Sequence, residues 1–585
     1  MKSFKMTTLK KILALLMAVA LFWALIGCAT DDPVPAPGDD EGVAADQEAP
    51  ADPDPAPAND DDDDDVDPPE APADPPEDPP AVDSAFAEHV TIVYACPQVI
   101  EGFNYNTDCE YARWILDQFN FTFQGVNLPW GDWHNMLSTW IMAQDMPDVA
   151  IFNYGDTTHA DAANFVDQGL LKRLPDNWRE RWPNVAGVFD VTTLGPRLEE
   201  EFGGVYFLPR ARFYYNLLGD PLQNHWSLRL RNDWVEAVGV EPSTYWTIPE
   251  VLEIAALIRD QDPGDVGAGL VPIALTHQNA ANFFLRANST HWDTFYRGAD
   301  GYYHWGAAAE DTLEGLLLYF EAFSEGLLDP EFVALAHDRD TEMFEVTGQA
   351  AIVYLGAPTS DIFPIRETFE NNLGVDRSAV GIATLLGASG YYHQRDLINF
   401  WGAVIFSPDV DEAVFERWMY LMEFTASEEG YPGTQMGIRG VDWDREPDGT
   451  IISHNPPGTR LAGPIGEAKY PSLGHVLGSI ILWDDLALDN PNLPLEYREE
   501  SRVLYLERAA MSTPETFTAV DWDLFMFDSP AFRRAQGIDF STEFAHLVTS
   551  ATSRDDLIAR YHEWIESQMA IVQPVLDELN AALAR

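Results

Sequence analysis

Aromatic rings sit beside amides, carboxylates and arginines at several points of this 585-residue chain. Those residue types can hold a hydroxyl-rich ring: the aromatic face packs on C–H groups, while amides, carboxylates and arginine take the hydroxyls. The positions are Trp130 beside Asp132, Asn153 and Tyr154 with Asp156, Tyr215 beside Asn216, Trp292 near Asn288, Tyr354, Tyr392 with Arg395, Trp401, and Arg439 with Trp443. For each of them the competing explanation is packing in a core. Trp130 and Trp401 have the best claim to a binding role because each stands where a strand ends; Trp114 and Trp234, at helical spacing among Leu or Ile, read as core.

Covalent catalysis finds little support in the same residues. The chain has no His-Glu-x-x-His, no Gly-x-Ser-x-Gly and no Gly-Lys-Ser/Thr phosphate loop. His291, His304, His393 and His454 have no partner at metal-ligand spacing, so no metal or other cofactor is expected. Asp442 and Asp444 could in principle divide acid and base roles on a glycoside, but carboxylate pairs arise by chance in so acidic a chain.

The amino terminus carries chemistry of a different kind. Lys2, Lys5, Lys10 and Lys11 precede an apolar run, Ile12 to Ile26, followed by Gly27 and Cys28. A basic cluster, an apolar run of signal-peptide length and a small residue before cysteine form the pattern of a bacterial lipoprotein signal. Residues 1–28 are therefore expected to be a signal that ends at Cys28, which would carry the lipid (palmitate) and fix the chain to the outer face of a membrane. Residues 29–83 are nearly all Asp, Glu, Pro and Ala, including Asp60–Asp65. They cannot bury a core, and self-repulsion with proline stiffness would extend them by on the order of 100 Å at ~3.1 Å per residue.

Residues 84–585 hold 75 acids against 30 bases and include 17 tryptophans, and their only lysines are Lys172 and Lys469. Such a balance argues against a nucleic-acid partner. It also disfavours a polyanionic ligand unless Arg210, Arg212, Arg395 or Arg439 line the site. Besides Cys28 there are two cysteines, Cys96 and Cys109. Outside the cell they could form a disulfide contributing ~2–3 kcal/mol, or remain two buried thiols.

The elements that must position these groups follow from periodicity. Strands are expected at Val90–Ala95, Phe121–Leu128 and Pro147–Phe152, and helices at Cys109–Phe119 and Trp133–Ala143. Strands alternating with helices of this length imply an α/β domain with a parallel sheet, in which ligands sit beyond the carboxyl ends of the strands. The loops 96–107, 129–132 and 153–159 are thereby singled out.

Further along, Met146–Val149, Phe165–Leu174, Gly203–Pro209 and Leu230–Pro242 (with Arg231, Asp233 and Trp234) follow one another. They are succeeded by Phe323–Phe332, Gly348–Ile352, Met436–Trp443 and Asp448-Gly449. In order and spacing this series resembles the family 1 extracellular solute-binding proteins, the sugar-type receptors of ABC importers. It resembles most their LipO-like lipoprotein branch, related to alginate oligosaccharide-binding proteins.

That resemblance implies an α/β, two-lobed periplasmic-binding-protein type II fold with hinge crossings and a ligand cleft. The lobes would be 84–212 plus 352–400 and 216–350 plus 402–585, crossed near Pro209–Leu218, Gln349–Gly356 and Asn399–Phe406. It implies capture of a solute, an oligosaccharide, by hinge closure, ABC permease subunits as partners, and a monomer. A calcium loop common in that branch would fall at Asp262–Leu270, where Gly, Ala and Leu stand in place of the later ligands, so no metal is expected there. Two other readings remain open: a tethered glycan-processing enzyme, and a surface sensor or adhesin on the same fold.

Overall fold

The computed structural model describes residues 86–583, apart from 156, 213–225, 336–337, 357–358, 397–398, 464, 467, 472–475 and 483–489. Cys28, the acidic stretch 29–83, Asp156 and Tyr215 lie outside the described residues. In chain order the strands are β1 (Val90–Cys96), β2 (Phe121–Asn127), β3 (Val149–Phe152), β4 (Leu208–Pro209), β5 (Trp226–Arg231), β6 (Tyr245–Thr247), β7 (Val271–Ile273) and β8 (Phe295–Arg297). They continue with β9 (Tyr303–Trp305), β10 (Ala350–Gly356), β11 (Val380–Leu386), β12 (Gln394–Arg395), β13 (Ala403–Phe406), β14 (Trp443–Arg445), β15 (Ile451–Ser453) and β16 (Phe517–Thr518).

Two five-stranded sheets organise the molecule, one in the order β2-β1-β3-β13-β4 and the other β6-β11-β5-β10-β7. Each is a mixed sheet rather than the all-parallel one expected, with a single reversed strand: β13 in the first and β5 in the second. The reversed strand is in both cases the one that arrives from the other lobe. A chain leaving β4 or β11 at its carboxyl end enters the other sheet from that same side, so the strand it adds there, β5 or β13, must run away from the cleft. The reversals thus fix the crossings at the carboxyl ends of the parallel strands, where a ligand site is expected.

Local sequence explains the elements. The run Val149–Phe152 is buried at every residue, as a strand covered on both faces must be. The helices Glu110–Phe119 and Trp133–Ala143 end on Asn120 and Gln144 in the left-handed conformation. Thr247 and Glu250 form a reciprocal capping box at the start of the helix Ile248–Gln261, with proline in its first turn.

Membership of the lobes differs from the boundaries expected from sequence. Strands β10 and β11 lie in the second sheet, although 352–400 was assigned to the first lobe. Strand β13 and the helix Glu412–Thr425 belong to the first-lobe core together with Tyr431, Leu461 and Ile480, although 402–585 was assigned to the second. The chain then returns: Leu504, Leu524 and residues from Ala531 through Leu579 pack in the second-lobe cores. Gln349–Gly356 is an ordinary interior strand and not a crossing. The physical reason is that β10 and β13 are equally apolar runs, and apolarity says that a strand is buried without saying in which sheet.

Cys96 and Cys109 are buried free thiols and not a disulfide. The Cys96 thiol lies 3.7 Å from Gln98 Oε1, whereas that of Cys109 points at the Pro471 carbonyl, 3.9 Å away. Asp262 spends both carboxylate oxygens on its own loop, accepting from the amides of Val266 (2.9 Å) and Gly267 (2.7 Å).

Candidate functional site

Three stretches of chain leave the first lobe side by side. Arg210 N–H donates to the Gly402 carbonyl (3.0 Å), Trp401 N–H to the Arg210 carbonyl (2.9 Å), Ala211 N–H to Ile480 (2.9 Å) and Leu482 N–H to Ala211 (2.7 Å). Residues 209–212, 401–403 and 480–482 therefore form a narrow ribbon at the base of the interlobe cleft. Two of these passages fall where the sequence reading put crossings; the third, at Ile480–Leu482, replaces the one expected at Gln349–Gly356. Gly402 marks the turn into β13 with φ of 64°, and a Cβ there would come within 2.7 Å of Ile151 Cγ2.

Two cavities open beside this ribbon, each lined from both lobes. The first, about 980 Å³, is faced by Asn153, Tyr154, Arg212, Phe400 and Trp401 on one side. Across it stand Thr290, His291, Tyr296, Arg395 and the segment 517–525. The second, about 840 Å³, is lined by Gln98, Gln435 and Leu461 from the first lobe and by Trp226, Arg229, Gln278, Asn279 and Glu345 from the second, with Asn490 and Asn492 beyond the third passage. Arg210 links the two linings: its guanidinium lies 3.5 Å from Gln98 Oε1 and 5.5 Å from the Trp401 ring.

Trp401 does not stand alone. Its ring centroid is 5.2 Å from Trp133 and 5.8 Å from Trp130, which is 58% exposed at the turn after β2. Trp133 is held in place by donating its indole N–H to the Ile151 carbonyl at 2.7 Å. The result is an aromatic platform built from two segments, 130–133 and 401: Trp401 faces the cavity with a cation behind its ring, and buried Trp133 and exposed Trp130 brace it. On the opposite wall Arg395 is ion-paired with Asp293 and donates to the Thr290 carbonyl. His291 lies flat on Tyr296, ring centroids 3.9 Å apart. Burial, with the positive charge of Arg395 next, lowers the His291 pKa to about 4, so the ring is neutral near pH 7.

The structure brings together Trp130, Asn153, Tyr154 and Trp401 of the residues expected from sequence, with Arg395 opposite. Tyr154 contributes an edge only: it is buried and its hydroxyl is engaged by His159 Nδ1 at 2.8 Å. Four other expectations are corrected. Trp292 is buried against Phe540 and Phe544 in the second-lobe core, under helices that sequence gave no reason to place there. Tyr354 is buried behind Trp226, 5.5 Å between centroids, and it is Trp226 that reaches the cavity.

Trp443 is 1% exposed and bonded to the Gly437 carbonyl, while Arg439 is committed to Glu429 and Asp444. Neither of the two lines either cavity. Missed altogether were Gln98, Trp226 and Arg229. Gln98 had a readable signal, since it stands two residues past β1 in a loop already singled out.

No protein-family model matches the chain, and no curated protein matches it. Solved structures do. The alginate-binding protein AlgQ2, crystallised without calcium ion, superposes with a TM-score of 0.60 at 14% identity over 86% of this chain and 99% of that one. The substrate-binding protein FusA of an S. pneumoniae ABC transporter, in complex with kestose, gives 0.55 at 13% identity over 84% and 100%. An extracellular solute-binding protein from Bifidobacterium longum subsp. infantis gives 0.54 at 13% identity over 84% and 99%. The chain thus has the two-lobed α/β fold of these extracellular solute-binding proteins, with its cavities where the lobes face one another.

Proposed function

We propose that this chain is a membrane-tethered, extracytoplasmic solute-binding lipoprotein that captures an oligosaccharide by hinge closure and delivers it to an ABC importer. The observation that carries the reading is the Trp401 ring, braced by Trp130 and Trp133, on the wall of a cavity to which both lobes contribute polar groups. Sugar rings stack on such a platform through their C–H faces, and hydroxyls at the ring edge reach Asn153 and the opposite wall. The names of the superposed proteins, for alginate and for kestose, favour a saccharide solute. The lysines, apolar run and Cys28 at the amino terminus favour the tether, and the acidic stretch after them favours a spacer.

Closure has a physical basis in the ribbon of three passages, which concentrates backbone rotation at a few residues. A solute touching both lobes binds the closed form better than the open one and shifts the population by that difference. No reacting group is needed, so the solute is returned unchanged. Trp401→Ala removes the ring of the platform that lines the cavity and is expected to weaken solute binding roughly tenfold to a hundredfold, since stacking on one aromatic is worth about 1–3 kcal/mol. Calorimetry against a panel of oligosaccharides checks this. Unchanged affinity in Trp401→Ala would remove the platform from the site, and cleavage of the sugar during the titration would turn the reading toward an enzyme.

A further inference from the structure

The cavity around Arg229 contains polar hydrogens that the fold leaves unpaired. Arg229 is 6% exposed; its Nη1 serves Glu345 and its Nη2 the Gly356 carbonyl at 2.8 Å, but Nε has no acceptor among the described residues. Asn492 is 3% exposed and receives the Ser453 hydroxyl on its Oδ1, while its Nδ2 has no partner among them. Gln435 Nε2 is in the same position. A buried donor without an acceptor costs roughly 1–3 kcal/mol, and native proteins keep few of them. Here three belong to residues lining one cavity.

All three are N–H donors, so what satisfies them must bring acceptor oxygens. The lining also fixes the charge of that visitor. Arg229 is neutralised by Glu345, and the remaining charged residues, Arg460 and Asp338, are again one of each sign. A net-neutral wall in a strongly acidic molecule offers a carboxylate or sulfate no compensation. Amides from Gln98, Gln278, Asn279 and Asn490 add paired donors and acceptors, the pattern that reads hydroxyl and carbonyl groups, and Trp226 supplies an apolar face.

We infer that this cavity is a second recognition site of the cleft, taking an uncharged saccharide segment that bears hydroxyl or carbonyl oxygens, read by Arg229 Nε, Gln435 Nε2 and Asn492 Nδ2. The inference rests on the receptor reading above and deepens it: the solute reaches both cavities past Arg210 and is neutral. It also explains why a receptor retains unpaired buried donors. They are a cost carried in the empty state and recovered only with the right ligand, so they discriminate against a solute that lacks the oxygens.

Gln435→Met and Gln435→Glu test it on the full chain. In the empty protein Gln435→Met removes a donor that has no partner, so its melting temperature should equal or exceed that of the parent. A clear fall would show the amide to be satisfied and overturn the inference. Calorimetry then uses neutral tetrasaccharides of glucose, mannose, xylose, galactose and fructose, with tetragalacturonate as the acidic probe. A neutral probe that binds the parent should bind Gln435→Met roughly tenfold more weakly, and Gln435→Glu at least as poorly, as the loss of a donor predicts. Parent-like affinity in both variants, or a preference for tetragalacturonate, overturns the second site. If Trp401→Ala weakens binding while the Gln435 variants do not, the receptor reading stands and this inference alone falls; if no probe binds the parent, both fall.

Discussion

His291 and His393 show at the scale of one residue how the cleft region is tuned. Burial lowers both pKa values to about 4, assisted at His291 by the charge of Arg395. In the unfolded chain each would titrate near 6.5. Below that pH the unfolded state binds protons that the folded state refuses, so stability is complete above about 6.5 and is lost as pH falls toward and through about 4. Most carboxylates titrate lower, which leaves the window from 6.5 to 5 to these rings. Melting temperature should therefore decline across that window, and replacing His393 with Gln should flatten the decline. A melting curve independent of pH there would show the rings to be solvated.

Asp442 illustrates the opposite choice. Burial alone would raise its pKa, but Lys469, the Ile438 N–H at 2.8 Å, the Tyr470 hydroxyl at 2.8 Å and Asn455 outweigh it and hold the carboxyl below its usual range. The carboxylate that sequence offered as half of an acid–base pair is a structural anchor for the turn at Ile438, fully occupied by its donors.

Among the elements, the ribbon of passages is where the proposed closure would have to bend while its backbone hydrogen bonds keep their register. Gly402 sits on it with a positive φ and with Ile151 against the place of a Cβ. Gly402→Ala should cost about 1–3 kcal/mol in urea unfolding from the strained backbone and the displaced Ile151. It should also weaken solute binding, since Gly402 carries Trp401 and accepts the Arg210 N–H. An alanine variant as stable and as active as the parent would mean that the turn relaxes freely. The short helix Trp522–Phe525 ties the lobes together on one flank. Phe525 is buried in the first-lobe core and Leu524 in the second, and the Arg197 guanidinium of the first lobe lies 4.5 Å from the Trp522 ring. That helix also walls the aromatic cavity through Leu524 and Phe525.

Taken whole, the molecule carries a formal charge of −62, of which 75 acids and 30 bases lie in residues 84–585. Many arginines are committed to carboxylates, as at Arg179–Glu199 and Arg366–Glu500, yet the excess of acids remains. Self-repulsion of this size destabilises the compact state and is screened by salt on a length of about 10 Å at 0.1 M. Raising NaCl from 0.02 to 0.5 M should therefore raise the melting temperature by several degrees, against the usual loss of surface ion pairs. A fall on adding salt would show that the pairs outweigh the repulsion.

Sequence by itself determined the elements and the chemistry of the chain. The apolar runs at β1, β2 and β3 and the helices between them were readable almost to the residue, because burial on both faces and a 3.6-residue period are local properties. The strand-end rule likewise singled out Asn153 and Trp401, which the fold sets on the wall of one cavity, and Trp130, which packs against Trp401. Tertiary structure alone decided membership and company. Whether β10 or β13 joins a given sheet depends on where a crossing delivers it, which no local pattern records. Trp292, Tyr354 and Trp443 resemble Trp401 in sequence and differ only in what covers them. The unpaired donors of Arg229, Gln435 and Asn492 exist only after residues more than two hundred positions apart have been brought to one cavity, since a hydrogen bond is missing only relative to the neighbours that folding supplies.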